Sequence, residues 1–337
     1  MKFSLGLIVF VAVSLFSYGQ GRPRTSQYIF NNYLLNPAIS GIDNYTDVKM
    51  GYRNQWQGMK DAPRTYYVSL HAPIGEAFIR SSVNSFPAVG ENPLSRQYVN
   101  SFMSAEPHHG VGFYALTDKA GMIRQSIVNA TYAYHLGLSE ILNMSVGVSA
   151  GFSSINIDIS NVIADNIPGD ALLSADYNNR IRPDVGFGIW MYTPRVFLGL
   201  SAKQLIGRHE RITDGQATVG QYQQPSFYGT VGYKFFLGED LAIVPSGLLS
   251  YALNSPAAID ANLKLAYKDK LWAGSGYRNN DSYSLMAGFN VGYLLNLSYS
   301  YDFSTSPLRK VNTGSHEIVI GLLLNNRYKV NCSQRQF

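Results

Sequence analysis

The stretch Leu142–Ser153, LNMSVGVSAGFS, decides the fold class of this chain. All six even-numbered residues are apolar, and all six odd-numbered residues are polar or glycine. On a helix these apolar side chains would be scattered around the axis, whereas on a β-strand they share one face. The stretch is therefore predicted to be an amphipathic strand with one apolar and one polar face.

The same alternation recurs in 14 runs between about residues 46 and 325, for example in Val128–Leu136 and Ile259–Tyr267. Most runs are as long as the ~9–11 residues with which a tilted strand crosses a bilayer. Leu241–Ile259 and Ser282–Tyr301 carry no charge and are long enough to suggest transmembrane helices. Prolines interrupt the first, and serines and asparagines the second, so we interpret each as two strands joined by a short turn.

The connections between the runs alternate in length. Short turns are predicted at 139–140, 194, 238–239 and 269–270, and longer loops at 154–182 and 205–224. Short periplasmic turns, long outer loops and an even strand count are typical of outer-membrane barrels. Tyrosine and phenylalanine also cluster near strand ends, as expected at a membrane interface. The sequence thus predicts an all-β fold, a transmembrane antiparallel β-barrel of about 14 strands; a soluble β-sandwich with inward apolar faces is the alternative.

The composition excludes several classes of function. Charged residues make up 15% of the chain, the formal net charge is +5, and no block concentrates it, so nucleic acid is not an expected partner. A single cysteine, Cys332, excludes an internal disulfide and a multi-cysteine zinc site. The sequence has no G-x-S-x-G or H-E-x-x-H motif, and neighbouring His108 and His109 on a strand would point to opposite faces. We therefore expect no catalytic residues, no metal and no cofactor.

The chain divides into four regions. Residues 1–19 have the short basic start, apolar stretch and small residues of a secretory signal peptide. Residues 20–45, with Asn36-Pro37-Ala38, are predicted to fold as a short segment against the periplasmic mouth of a barrel at 46–325, followed by a tail at 326–337. A long insertion at 74–107 replaces an expected periplasmic turn, and it is either a floppy insertion or a docking element.

An ordered series of short motifs resembles a known family. The motifs are Gln27-Tyr28-Ile29-Phe30-Asn31, Leu35-Asn36-Pro37-Ala38, Gly41, Tyr52-Arg53-Asn54-Gln55-Trp56, Ala62-Pro63-Arg64-Thr65, Trp272-Ala273-Gly274, Tyr277-Arg278, Tyr299-Ser300-Tyr301-Asp302 and Gly314-Ser315-His316-Glu317-Ile318. Together they resemble the PorP/SprF family of the type IX secretion system and of gliding motility. The resemblance implies a non-enzymatic barrel in the cell outer membrane. It also implies partners: outer-membrane lipid, secretion and periplasmic components, and a secreted surface protein or adhesin that the barrel retains.

Two interpretations of the charged and aromatic motif residues stay open. Arg53, Trp56, Trp272 and Arg278 form a hypothetical partner-binding site at one mouth, because tryptophan and arginine dominate interface hot spots. Alternatively, the charged residues on polar faces form a paired network inside the lumen, since unpaired buried charges are costly. For the whole protein, the leading hypothesis is a partner or anchor barrel of the secretion machinery. A transport channel for small solutes is the first alternative, and a soluble or enzymatic β protein the second.

Overall fold

The computed structural model describes residues 25–75, 102–157, 180–206, 209–214, 217–222, 225–238, 240–252, 256–268 and 270–327. The predicted signal peptide, most of the 74–107 insertion and most of the C-terminal tail lie outside these residues. Among the described residues, no helix has the length and apolar character needed to cross a membrane.

Fourteen antiparallel strands form one closed barrel, in which each strand pairs with its neighbour along the chain and β1 pairs with β17. The short strand β11 continues β10 beyond Lys234 and pairs with β12, while β8 and β9 form a separate hairpin. The barrel strands are β1 Thr46–Asn54, β2 Arg64–Ile74, β3 His108–Ala120, β4 Ile123–Gly137, β5 Asn143–Ile157, β6 Arg180–Tyr192, β7 Val196–Lys203, β10 Ser226–Tyr233, β12 Leu241–Ala252, β13 Ala258–Tyr267, β14 Leu271–Arg278, β15 Ser282–Val291, β16 Leu295–Ser304 and β17 Ser315–Leu324. The remaining strands are β8 His209–Asp214, β9 Ala217–Tyr222 and β11 Phe235–Phe236.

The alternation in the sequence gives the wall its two faces. On β5, Val148 and Phe152 are 48% and 62% exposed, whereas Ser145 and Ser149 are buried toward the lumen. A row of exposed aromatic and aliphatic side chains surrounds the outside in the same way. This arrangement confirms the predicted barrel with an apolar outer face, and the single closed sheet excludes the sandwich.

The two ends of the barrel differ. We call the end where β1 begins and β17 ends the short-turn end, and the opposite end the long-loop end. All four predicted short turns lie at the short-turn end, and both predicted long loops lie at the long-loop end. Two connections at the long-loop end, 121–122 and 279–281, are also short, so the alternation is not strict. The loop predicted at 154–182 is shorter than expected, because β5 continues to Ile157 and β6 begins at Arg180.

The N-terminal segment fills the lumen. It contains three short 3₁₀ helices, Ser26–Ile29, Asn32–Leu34 and Pro37–Ile39, and its side chains are almost all buried. We call residues 25–45 the plug. The first residues of the plug contact side chains of the long-loop end, Phe30 already packs on Trp272 toward the short-turn end, and the last residues lie near the short-turn mouth. The predicted position at the periplasmic mouth is therefore corrected: the segment runs through the barrel, because the polar wall offers partners over its whole height.

Glycines in the wall make room for the plug. A Cβ atom on Gly147 would lie 2.5 Å from the amide nitrogen of Ala38. A Cβ on Gly188 would lie 2.0 Å from the side-chain oxygen of Asn36. Both distances are far below van der Waals contact, so any side chain at these positions would displace the plug.

The end of the insertion packs at the short-turn end. Phe102 and Ala105 are buried, and Phe102 joins the main hydrophobic cluster inside the barrel. The backbone nitrogen of Ser104 donates to the carbonyl of Glu140 at 2.7 Å, and that of Ala105 donates to the side chain of Asn143 at the same distance. Residues 102–107 are thus attached to this mouth, while residues 76–101 lie outside the described part of the chain.

The two-faced wall makes a depth-dependent prediction. Val148→Arg places a charge against lipid in the middle of β5 and should lower the free energy of unfolding by roughly 2–4 kcal/mol. Ile123→Arg, at the long-loop end of β4, should cost only about 0–1 kcal/mol, because the charge lies near the membrane interface. Urea unfolding of both variants in lipid vesicles measures the difference. Equal costs would contradict the assigned position of the membrane.

Candidate functional site

The first cluster that holds the plug lies at the long-loop end. Arg53 of β1 bridges Asp302 of β16 at 2.7 Å and Glu317 of β17 at 3.1 Å, and all three side chains are buried. Ser26 of the plug completes the cluster, because its hydroxyl donates to Asp302 at 2.7 Å and its backbone nitrogen donates to Glu317 at 2.8 Å. One arginine faces two carboxylates here, so the two donors of Ser26 supply what the arginine alone cannot.

A second arginine lies at the same end. Arg278 donates to Asp260 through Nε at 2.8 Å and through Nη2 at 3.3 Å, a bidentate pair. Its Nη1 donates to Asp281 at 3.2 Å, and its Nη2 also donates to the carbonyl of Thr25 at 3.3 Å. Both arginines therefore bind the first residues of the plug.

Ring contacts and neutral hydrogen bonds hold the middle of the plug. Phe30 stacks on Trp272 of β14, with ring centroids 5.9 Å apart. The Asn31 side chain donates to Ser69 at 3.0 Å, and the Tyr33 hydroxyl is 2.7 Å from that of Thr131. Each contact joins one plug residue to one inward-facing wall residue, which fixes the rotation of the plug inside the barrel.

The last plug turn is clamped near the short-turn end. The amide of Asn36 donates to the carbonyls of two paired strands, β6 at Ile189 (2.9 Å) and β7 at Leu200 (3.2 Å). Three histidines surround the Ser40–Gly41 turn. Nε2 of His135 lies 2.7 Å from the Ser40 carbonyl oxygen, and Nε2 of His108 lies 3.1 Å from the Gly41 carbonyl oxygen. The rings of His108 and His135 are stacked, with centroids 4.5 Å apart. Nδ1 of His71 accepts a hydrogen bond from the Gly41 nitrogen.

The four residues hypothesised as a partner site do not come together at one mouth. Trp272 and Arg278 lie at opposite ends of β14, and both are buried. Arg53 is buried at the long-loop end, as Arg278 is, and it contacts the plug. Only Trp56, in the loop after β1, is half-buried at a mouth. The contacts of Arg53, Trp272 and Arg278 agree with the alternative interpretation, a paired network inside the lumen.

Trp56 has an unusual backbone. Its φ is 53°, in the left-handed region that bulky residues rarely adopt. The surrounding structure fixes this conformation: the Trp56 nitrogen donates to the Ser315 hydroxyl at 3.1 Å, and Gln57 exchanges backbone hydrogen bonds of 2.8 Å with Thr313 and Gly314. A strained residue held by its neighbours is a reasonable functional candidate.

A cavity near the long-loop end was not predicted from the sequence. It measures about 120 Å³ and lies between the plug and the inner wall. Its lining is Thr25, Leu34, Leu35, Tyr114, Leu116, Ile127, Asp184, Lys203, Ser226, Tyr228, Leu248, Ser250, Tyr251, Ala252, Pro256 and Asp260. Seven strands and the plug contribute to this set, so no local pattern identifies it. The only signal is that most of its strand residues occupy inward positions, although Tyr251 faces outward.

The described residues contain no group of three or more histidine, cysteine, aspartate or glutamate side chains that could hold a metal ion. The chemistry of the lumen is that of ion pairing and hydrogen bonding between the wall and the plug. These contacts join the wall and the plug into a rigid, filled cylinder whose two mouths differ in structure.

Comparison with known families agrees with this geometry. A family model for the type IX secretion system membrane protein PorP/SprF matches residues 17–322. The chain belongs to the PorP/SprF family. It is therefore a membrane protein of the type IX secretion system family and is located in the outer membrane, as predicted. A search among curated proteins found no match.

Several solved barrels share the general architecture. Omp33 of Acinetobacter baumannii is 7% identical over 85% of this chain and 100% of its own, with a TM-score of 0.46. The toluene transporter TodX of P. putida is 8% identical over 90% and 95%, with a TM-score of 0.46. A FadL homologue of Pseudomonas aeruginosa is 11% identical over 89% and 94%, with a TM-score of 0.45.

The PorP/SprF motifs quoted from the sequence have a common physical explanation. The first three motifs, from Gln27 to Gly41, are the plug itself. Later motifs supply the wall residues that bind the plug: Arg53, Trp272, Arg278, Asp302 and Glu317. These motifs therefore consist largely of plug residues and of the wall residues that contact the plug.

The cluster around Arg53 gives a stability prediction. Arg53→Gln leaves Asp302 and Glu317 buried together without a cation, and it should lower the free energy of unfolding by about 3–5 kcal/mol. The matched control is Lys268→Gln, which removes an exposed pair with Asp240 (3.4 Å) that raises the pKa of Lys268. This control should leave stability unchanged, because solvent screens exposed pairs. Heat-modifiability gels and urea titrations of the two variants measure the effects; equal stability would contradict the assigned role of Arg53.

Proposed function

We propose that this PorP/SprF barrel is a non-enzymatic partner or anchor for a secreted surface protein, such as an adhesin of the gliding machinery. In this proposal the long-loop end faces the outside and carries the surface partner. The short-turn end faces the periplasm, where residues 102–107 and the rest of the insertion meet secretion components.

The observation that carries the proposal is the plug. It is bound at the long-loop end by two arginine clusters and at the short-turn end by Asn36 and three histidines. A barrel whose lumen is filled and bonded from end to end supplies a rigid scaffold for mouth loops rather than a path for solutes. Loops carried on a rigid scaffold commonly serve as binding sites.

The four hypothesised site residues take different parts in this proposal. Trp56 remains a candidate for direct partner contact, because it is half-buried at the long-loop mouth on a strained backbone. Arg53, Trp272 and Arg278 act indirectly by holding the plug, since a partner could touch them only after the plug moved. This division supports testing Trp56 separately from the other three.

Surface proteomics of intact cells tests the proposal. Deleting the gene should leave the envelope intact and remove one surface protein, which then appears in the medium or stays inside the cell. Trp56→Ala should reproduce this loss with a normal amount of folded barrel, whereas Arg53→Gln should lose the partner only in proportion to lost barrel. An unchanged surface proteome in the deletion strain, with altered uptake of small solutes, would favour the transport channel.

Conductance in planar bilayers separates an anchor from a channel. The wild-type barrel should be nearly silent, because the plug fills the lumen. Gly147→Leu should open steady conductance, since the new side chain occupies the position of Ala38. The matched control is Gly247→Leu on the outer face, where a Cβ has only ordinary contacts at 3.8 Å and conductance should stay silent. Steady conductance of the wild type would overturn the anchor proposal.

A further inference from the structure

Asp184 is a buried carboxylate that the plug does not use. It lies on β6 near the long-loop end, is 3% exposed and lines the 120 Å³ cavity. The other buried acids of this end, Asp260, Asp302 and Glu317, all have arginine partners. Within the described part of the chain, the carboxylate of Asp184 has neither a hydrogen bond nor an ion pair, and it faces the cavity.

The neighbouring cations are engaged elsewhere. Lys203, also in the cavity lining, donates to the Leu34 carbonyl of the plug and to the Tyr114 hydroxyl, and its Nζ lies 4.5 Å from the centroid of the Tyr114 ring. Arg278 is paired with Asp260. A buried carboxylate without a charged partner is costly, and an incoming cation would remove that cost.

We propose that this cavity is a binding site for a cationic side chain, arginine or lysine, of the secreted surface partner. The proposal rests on the proposed function and names the chemistry that the partner presents. Asp184 would accept the charged hydrogen bonds. The aromatic ring of Tyr228 and the side chains of Leu34, Leu116 and Leu248 line the cavity and would contact the aliphatic part of the incoming side chain.

The size of the cavity fits one side chain. Its 120 Å³ is close to the ~150 Å³ of an engineered apolar cavity that binds benzene. An extended partner segment lying across the long-loop mouth could therefore insert a single residue. A cavity of this size could also hold only water, and the chain's own Arg22 and Arg24 are close in sequence to Thr25 in the lining. Binding of small cationic and neutral probes distinguishes these occupants.

The experiment uses the purified full barrel in detergent with two small probes. n-Propylguanidinium reproduces the arginine side chain, and n-propylurea is its neutral counterpart of nearly the same shape. Ligand-observed NMR should show at least tenfold tighter binding of the guanidinium than of the urea. Asp184→Asn should abolish this preference. Asp118→Asn is the matched control, because Asp118 is an acid at the same end that pairs with Thr65 and does not line the cavity.

The melting temperature and guanidinium binding of further variants test the inference independently. Asp184→Asn should leave the melting temperature unchanged or raise it, because it removes a buried charge. Ala252→Phe, which fills the cavity without changing charge, should also abolish guanidinium binding if Asp184→Asn does not fold. No guanidinium preference in the wild type would overturn the proposal. So would a preference that appears only after Arg22→Ala and Arg24→Ala are combined, because the occupant would then be the chain's own segment.

Cells separate this inference from the function on which it rests. Asp184→Asn should reduce retention of the surface protein at least tenfold at normal barrel abundance, while Asp118→Asn should retain it. If gene deletion removes the surface protein but Asp184→Asn does not, the cationic site is wrong and the anchor function stands. If deletion changes no surface protein, the anchor function itself fails, whatever the binding measurements show.

Discussion

The pairing of Arg53 with Asp302 and Glu317 sets the constraint on which the rest of the lumen depends. Two buried carboxylates share one guanidinium here, and the backbone nitrogen and hydroxyl of Ser26 each donate one further hydrogen bond to them. The plug is therefore part of the electrostatic structure of the wall. Because Arg53, Asp302 and Glu317 are buried, the plug residue that donates to them contributes to the stability of this part of the wall.

The plug is shaped by the wall. Its 3₁₀ helices are only three or four residues long, too short to be stable alone. Their free carbonyls and amides instead bond to wall side chains, as when Ser145 and Ser201 donate to the carbonyls of Ala38 and Leu35. The glycines at 147 and 188 provide the space for this approach. We infer that in the native protein the plug and the barrel wall form one cooperative unit.

The strands could be predicted from sequence because their signal is local. Alternation along LNMSVGVSAGFS fixes one strand and its two faces, and each of the predicted runs corresponds to a barrel strand. The position of the N-terminal segment could not be predicted, because it depends on contacts such as Ser26 with Glu317, far apart in sequence. The geometry of the four hypothesised partner residues could not be predicted for the same reason. Their residue types indicated an interface hot spot, whereas the strand places Trp272 and Arg278 at opposite ends of β14.

The proposed cationic site would bring partner recognition next to the plug. Leu34 and Leu35 of the plug form part of its lining, and Lys203 connects the Leu34 carbonyl to the wall. A side chain that entered the cavity would contact the plug directly, so any effect of binding on the plug would need no long pathway through the wall. Coupling of this kind is reciprocal: a plug held in place preserves the cavity, and an occupied cavity stabilises the plug. The bonds that close the lumen thus also build the surface that an outer partner would recognise.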